Sequence, residues 1–150
     1  MYEEIARNFN QLFLSPFITK TQEPFDLYYT VAFGSTSIAT GATATIATIP
    51  FPLEKVPKVS TKAYVSLTYT CYDFGAAGAI WTSLQINGVN SDSKIFYFNT
   101  SNVHTTISCL FEVTIPTDAT NILVNVYNAS AGSFRTDAND SLTMVLRSSI

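Results

Sequence analysis

The chain has 150 residues, enough for one domain with a core that needs no staples. Hydrophobic residues make up 47% of it and charged residues only 13%, so the surface must be built largely from Thr, Ser, Asn and Tyr, a composition suited to contact with other protein. A net charge of −3 with no cluster of Lys or Arg leaves no footprint for a phosphate backbone and argues against nucleic-acid binding.

Tyr2, Ile5, Phe9, Leu12 and Phe13 recur at helical spacing, which predicts an amphipathic helix over Met1–Leu14 ended by Ser15-Pro16. Glu3 and Glu4 stand where a secretory signal would carry Lys or Arg, and Arg7, Asn8, Asn10 and Gln11 interrupt the apolar residues. The segment therefore reads as neither a signal peptide nor a membrane span, and synthesis in a cytosol is expected. Its polar face is acidic, which argues against docking on anionic lipid. Two uses fit it: packing on its own domain, or reaching to a neighbour as an anchoring arm. Residues 1–26 are read as this arm and its connector, and residues 27–150 as the folded domain.

From Leu27 the period changes to two. Leu27, Tyr29, Val31 and Phe33 share one face of a first strand, and 42–49 can form a second. Pro50, Pro52 and Pro57 forbid a central strand and leave an extended linker or edge segment through Val59. The clearest strand is 63–72, with Ala63, Val65, Leu67, Tyr69 and Cys71 facing one way and Tyr64, Ser66, Thr68, Thr70 and Tyr72 the other. Gly75-Ala76-Ala77-Gly78 turns the chain into 80–86, which Asn87-Gly88 closes as a hairpin dipeptide. Four more strands follow at 94–98, 104–114, 121–127 and 142–147. Eight strands with regular turn signals predict an all-β sandwich, jelly roll or small barrel.

Residue types suited to chemistry are sparse. The one His, His104, opens a strand beside Thr105 and Thr106 with no motif around it, and a structural or surface role is expected. One His and two separated Cys fall short of a zinc set, so no metal, cofactor or catalytic residue is assigned. Cys71 and Cys109 both fall on inward faces; free buried thiols are favoured, with a disulfide between neighbouring strands as the alternative. Asp137, Asn139 and Asp140 gather oxygens before the last strand. They suit either an Asx-rich turn, which is favoured, or a calcium loop lacking the Gly and distal Glu of an EF-hand.

The outward faces carry more information. Trp81, Tyr64, Tyr72, Leu110, Leu123, Tyr127 and Val145 fall on the nominal solvent side of their strands. Subunit contacts are the favoured reading, ahead of cover by the N-terminal helix and of a sugar-stacking platform. The strand Ala63-Tyr64-Val65-Ser66-Leu67-Thr68-Tyr69, the hairpin Leu84-Gln85-Ile86-Asn87-Gly88, the run from Thr120 to Tyr127 and the final strand Leu142-Thr143-Met144-Val145-Leu146 carry a resemblance. Together they make 62–150 resemble the jelly-roll heads of virus structural proteins and of the trimeric tumour-necrosis-factor and complement-C1q-like group, phage fibre heads included.

The resemblance implies an eight-stranded jelly-roll β-sandwich behind a short N-terminal amphipathic helix. It also implies a non-enzymatic, trimeric virion protein acting as a capsid, decoration or fibre-head component and meeting other virion proteins. A carbohydrate-binding or adhesin module with a host-surface glycan as partner is the rival expectation.

Overall fold

The computed structural model describes residues 23–149, so the helix expected over 1–14, with Tyr2, Ile5, Phe9, Leu12 and Phe13, lies outside the described residues. The described chain forms an all-β sandwich of two antiparallel sheets, with six strands in one and five in the other. In chain order the strands are β1 (Asp26–Ala32), β2 (Thr36–Ile38), β3 (Thr43–Pro50), β4 (Thr61–Phe74), β5 (Ala79–Ile86), β6 (Val89–Asn90), β7 (Lys94–Tyr97), β8 (Thr105–Ile115), β9 (Asn121–Asn128), β10 (Ser133–Thr136) and β11 (Ser141–Ser148).

The first sheet runs β1-β11-β4-β8, with β10 and then β2 attached at the C-terminal end of β4. In the second, β3-β9-β5 is bordered by β6 and β7 on β5. The longer strands pair as nested partners: β1 with β11, β3 with β9, β4 with β8, and β5 with β7. The eight expected strands are these eight. The three additional ones, β2, β6 and β10, are two to four residues long, too short for alternation to register.

Inward faces follow the period of two. Val65, Leu67 and Tyr69 of β4 meet Ile107 and Phe111 of β8 and Met144 and Leu146 of β11 in one continuous core that also holds Leu84, Ile122 and Val124 of the second sheet. Each such aliphatic side chain contributes about 1.5–3 kcal/mol relative to exposure. Tyr69 Oη and Thr82 Oγ1, 2.6 Å apart, join the two sheets inside this core. Asn87 and Gly88 both take positive φ, 48° and 80°, as the expected hairpin turn requires.

The proline-rich stretch differs from a plain extended linker, because Leu53–Lys55 forms one 3-10 turn after Pro50 ends β3. Cys71 and Cys109 are free, and the pairings Leu67 with Cys109 and Cys71 with Thr105 rule out the disulfide alternative. Four residues along adjacent strands separate the two by about 13 Å, beyond the roughly 7 Å a disulfide spans. Cys71 is buried as expected. Cys109, at the open edge formed by β8, is only partly buried.

Candidate functional site

The outward residues picked from the sequence divide between two faces. On the first sheet, the register aligns Tyr28, Val145, Ser66 and Leu110 in one row across β1, β11, β4 and β8. Tyr28 is 68% exposed and Leu110 62% exposed. The row beside it is Thr30, Thr143, Thr68 and Ser108, with hydroxyl contacts of 3.3 Å between Thr30 and Thr143 and 3.4 Å between Thr68 and Ser108. On the other side Tyr64 is flanked by Arg147 and Glu112, and Glu112 pairs with Lys62 at 3.5 Å. The face thus has an uncharged apolar and hydroxyl centre with charges toward one end, the layout of an interface core and rim.

On the second sheet, Tyr127, Trp81 and Ile95 align across β9, β5 and β7. Trp81 meets Tyr127 edge-on at 5.3 Å between ring centroids and stays 42% exposed. Tyr97 is exposed on the same edge strand, and Asn125 and Ser83 form the adjoining polar row. Leu123, Tyr127 and Val145 are half-buried by their neighbours, as is Tyr72. Tyr28, Ile95 and Tyr97 were not singled out from the sequence, although Tyr28 lies on the outward phase of its strand and was legible there.

Tyr72 takes part in a third feature. Its ring packs 4.6 Å from that of His104, and His104 lies 2.8 Å from Asp140 and 3.3 Å from Asp137. Residues 137–140 form the loop between β10 and β11. It is the expected Asx turn: Asp140 Oδ2 accepts the Asp137 N–H at 2.8 Å, and Asp137 Oδ1 accepts the Asn139 N–H at 2.8 Å. The remaining carboxylate oxygens face the two nitrogens on opposite sides of the His104 ring. One ligand atom from each of His104, Asp137 and Asp140 lies within 4.8 Å of the others, so the three residues together could hold a metal ion. Among the described residues no hydrogen bond joins His104 to a Ser, Thr or Cys.

A buried polar group sits one residue beyond Tyr72. Asp73 Oδ1 accepts the Ser130 hydroxyl at 2.9 Å, while Oδ2 is buried without a partner. Burial pushes the Asp73 carboxyl above its ordinary value, and the Ser130 hydrogen bond offsets this in part. Asn128 supports the same corner by donating to the carbonyls of Ile38 and Gly132 at 2.9 and 2.8 Å. Surface clefts of about 260, 290 and 220 Å³ lie below the roughly 300–1,000 Å³ usual for small-molecule sites. None of them draws the outward aromatics together. Among the described residues no helix is long and apolar enough to cross a membrane.

No protein-family model matches the chain, and no curated protein matches it in sequence. Among solved structures it is similar to a chain in the structure of infectious bursal disease virus, Gx strain. The TM-score is 0.53 at 14% identity, covering 83% of this chain and 32% of that one. It is also similar to dimeric latent PorU from Porphyromonas gingivalis, with a TM-score of 0.51 at 14% identity, covering 84% of this chain and 13% of that one. The chain thus spans a third or less of each of these two chains. At this identity the likeness establishes the β-sandwich fold alone.

Proposed function

We propose that this protein is a non-enzymatic structural protein: a jelly roll that assembles with copies of itself on a virus or phage particle as a capsid, decoration or fibre-head component. The observation that carries the reading is the pair of exposed apolar rows, Tyr28 to Leu110 on one sheet and Tyr127 to Ile95 on the other, on a domain with few charges. Nested strand pairing supports the jelly-roll assignment, since a folded-over β-ribbon pairs first with last and inner with inner. The fold shared with a chain of infectious bursal disease virus is consistent with a particle component.

In this reading each row is covered by a neighbouring copy, a trimer being the favoured symmetry, and Met1–Leu14 tethers the domain to the particle. Trp81 is the single best anchor, because it offers a large ring that its own sheet leaves partly open. Trp81→Ala should weaken association by about 2 kcal/mol or more. Sedimentation of the full chain across a concentration series tests this. An unchanged association constant removes Trp81 from the interface.

A second reading, a glycan-binding module, is favoured by one feature: the Trp81 ring stands beside the polar Asn125 and Ser83 row. It predicts a monomer whose Trp fluorescence responds to a polysaccharide.

A further inference from the structure

His104 stands just before β8, while Asp137 and Asp140 lie in the loop between β10 and β11, and one ligand atom from each is within 4.8 Å of the others. One imidazole nitrogen with two carboxylate oxygens is a three-ligand set of the kind that holds zinc with water in the remaining position. We propose that His104, Asp137 and Asp140 form a zinc site that clips the segment leading into β8 to the β10–β11 loop.

Each carboxylate is shaped to offer a single oxygen. Asp140 Oδ2 accepts the Asp137 N–H and Asp137 Oδ1 accepts the Asn139 N–H, each at 2.8 Å. The oxygens left over lie against the imidazole, Asp140 Oδ1 2.8 Å from Nδ1 and Asp137 Oδ2 3.3 Å from Nε2. Backbone donors thus orient these ligands as outer partners do at metal sites, and the Tyr72 ring packs 4.6 Å from the imidazole. Bonds of about 2.0–2.2 Å place tetrahedral ligand atoms about 3.3–3.6 Å apart. One ring nitrogen takes the ion, and atoms now within 4.8 Å draw in by at most about 1.5 Å to meet it.

Charge and access point to a cation independently of the turn. Asp140 is 2% exposed, and a carboxylate so buried needs a compensating charge. Among the described residues, His104 is the one cationic group paired with these carboxylates, and Arg135, opposite Tyr72 on β10, is turned onto the Phe74 ring at 3.8 Å. An imidazole that binds metal is neutral, so two negative charges remain for a divalent ion to balance. The cleft of about 220 Å³ lined by Thr36, Tyr72, Arg135 and Asp137 among others reaches the cluster, giving an entry path and room for a water ligand. The ligand types select the ion: calcium takes roughly six to eight oxygens, whereas imidazole with carboxylate suits zinc.

The inference stands apart from the assembly reading. It is tested on the full chain, cleared of metal with a chelator and titrated by calorimetry with zinc chloride or calcium chloride. Zinc should bind the native protein and, at a hundredfold excess over its dissociation constant, raise the melting temperature by about 5–10 °C. His104→Gln and Asp137→Asn should each bind zinc at least about tenfold more weakly. Both positions are partly open to water, at 45% and 34% exposure, and Asp137→Asn keeps the acceptor for the Asn139 N–H, so the buried Asp140 is left intact. The partly buried Cys109 thiol is unchanged in both variants, so full-strength zinc binding in them would assign the ion elsewhere and overturn the site. A native protein that binds no zinc, or that binds calcium more tightly than zinc, would overturn it as well.

Discussion

Replacing Tyr69 by Phe removes one oxygen atom from the centre of the sandwich and tests how its two sheets are joined. Tyr69 belongs to β4 and Thr82 to β5, their hydroxyls lie 2.6 Å apart, and both side chains are buried. Burial and the nearby thiols push the Tyr69 phenol far above its ordinary value, although the Thr82 hydrogen bond lowers it, so the phenol stays protonated and able to donate. Taking it away leaves the Thr82 hydroxyl without its main partner, which costs about 1–3 kcal/mol.

Thr82 also offsets part of the rise of the Cys109 thiol, which leaves that thiol as a weak substitute partner, so the lower half of that range applies. For a domain of this size the loss is a drop of roughly 2–6 °C in melting temperature. Thr82→Val should cost a similar amount by stranding the Tyr69 hydroxyl. The double variant replaces both partners with apolar groups of the same shape and should lie close to either single variant. Urea unfolding of the four proteins gives a coupling energy of about 1–2 kcal/mol if the hydrogen bond spans the sheets as described. Strict additivity would refute it.

Asp73→Asn should stabilise the protein at pH 7, because burial raises the Asp73 carboxyl and its Oδ2 has no partner. A group raised on folding favours the folded state when protonated, so the gain should vanish as pH falls below the ordinary carboxylate range; melting curves at pH 7 and 3 check this. Cys109 should react with a thiol reagent in the native protein, slowly because burial raises it, while Cys71 should react only on unfolding. Gly132→Ala should destabilise the β4–β10 corner severely, since a Cβ there would meet the carbonyl oxygens of Ala76 and Phe74 at 2.5 Å; its expression and melting temperature against those of Gly34→Ala, which meets nothing, give the comparison.

Alternation carried the reading of β4 and β8 in the sequence because β4 buries one face from Ala63 to Cys71, and β8 does so from Ile107 to Ile115 with Cys109 half-buried between. It says inward or outward, however, and not toward which sheet. Trp81 and Leu110 therefore read alike, as outward residues, and strand pairing is what places them on opposite sides of the sandwich. β10 was invisible for a different reason: its four residues offer only Phe134 and Thr136 to the interior. The His104 pairing with Asp140 spans 36 residues, and the Ser130 hydrogen bond to Asp73 spans 57; no local pattern records either. The Asx turn at Asp137 was legible because its hydrogen bonds are local.

The central claim is that the exposed strand faces are covered by further copies of the same chain. Light scattering on the full protein, with Leu110→Lys beside it, measures this directly. Leu110 is outward and exposed, so the charge leaves the core untouched while entering one end of the proposed contact row, on β8. The account predicts a stable oligomer for the native sequence, a trimer in its favoured form, and dissociation to folded monomers for the variant. A native protein that is monomeric at high concentration would contradict it.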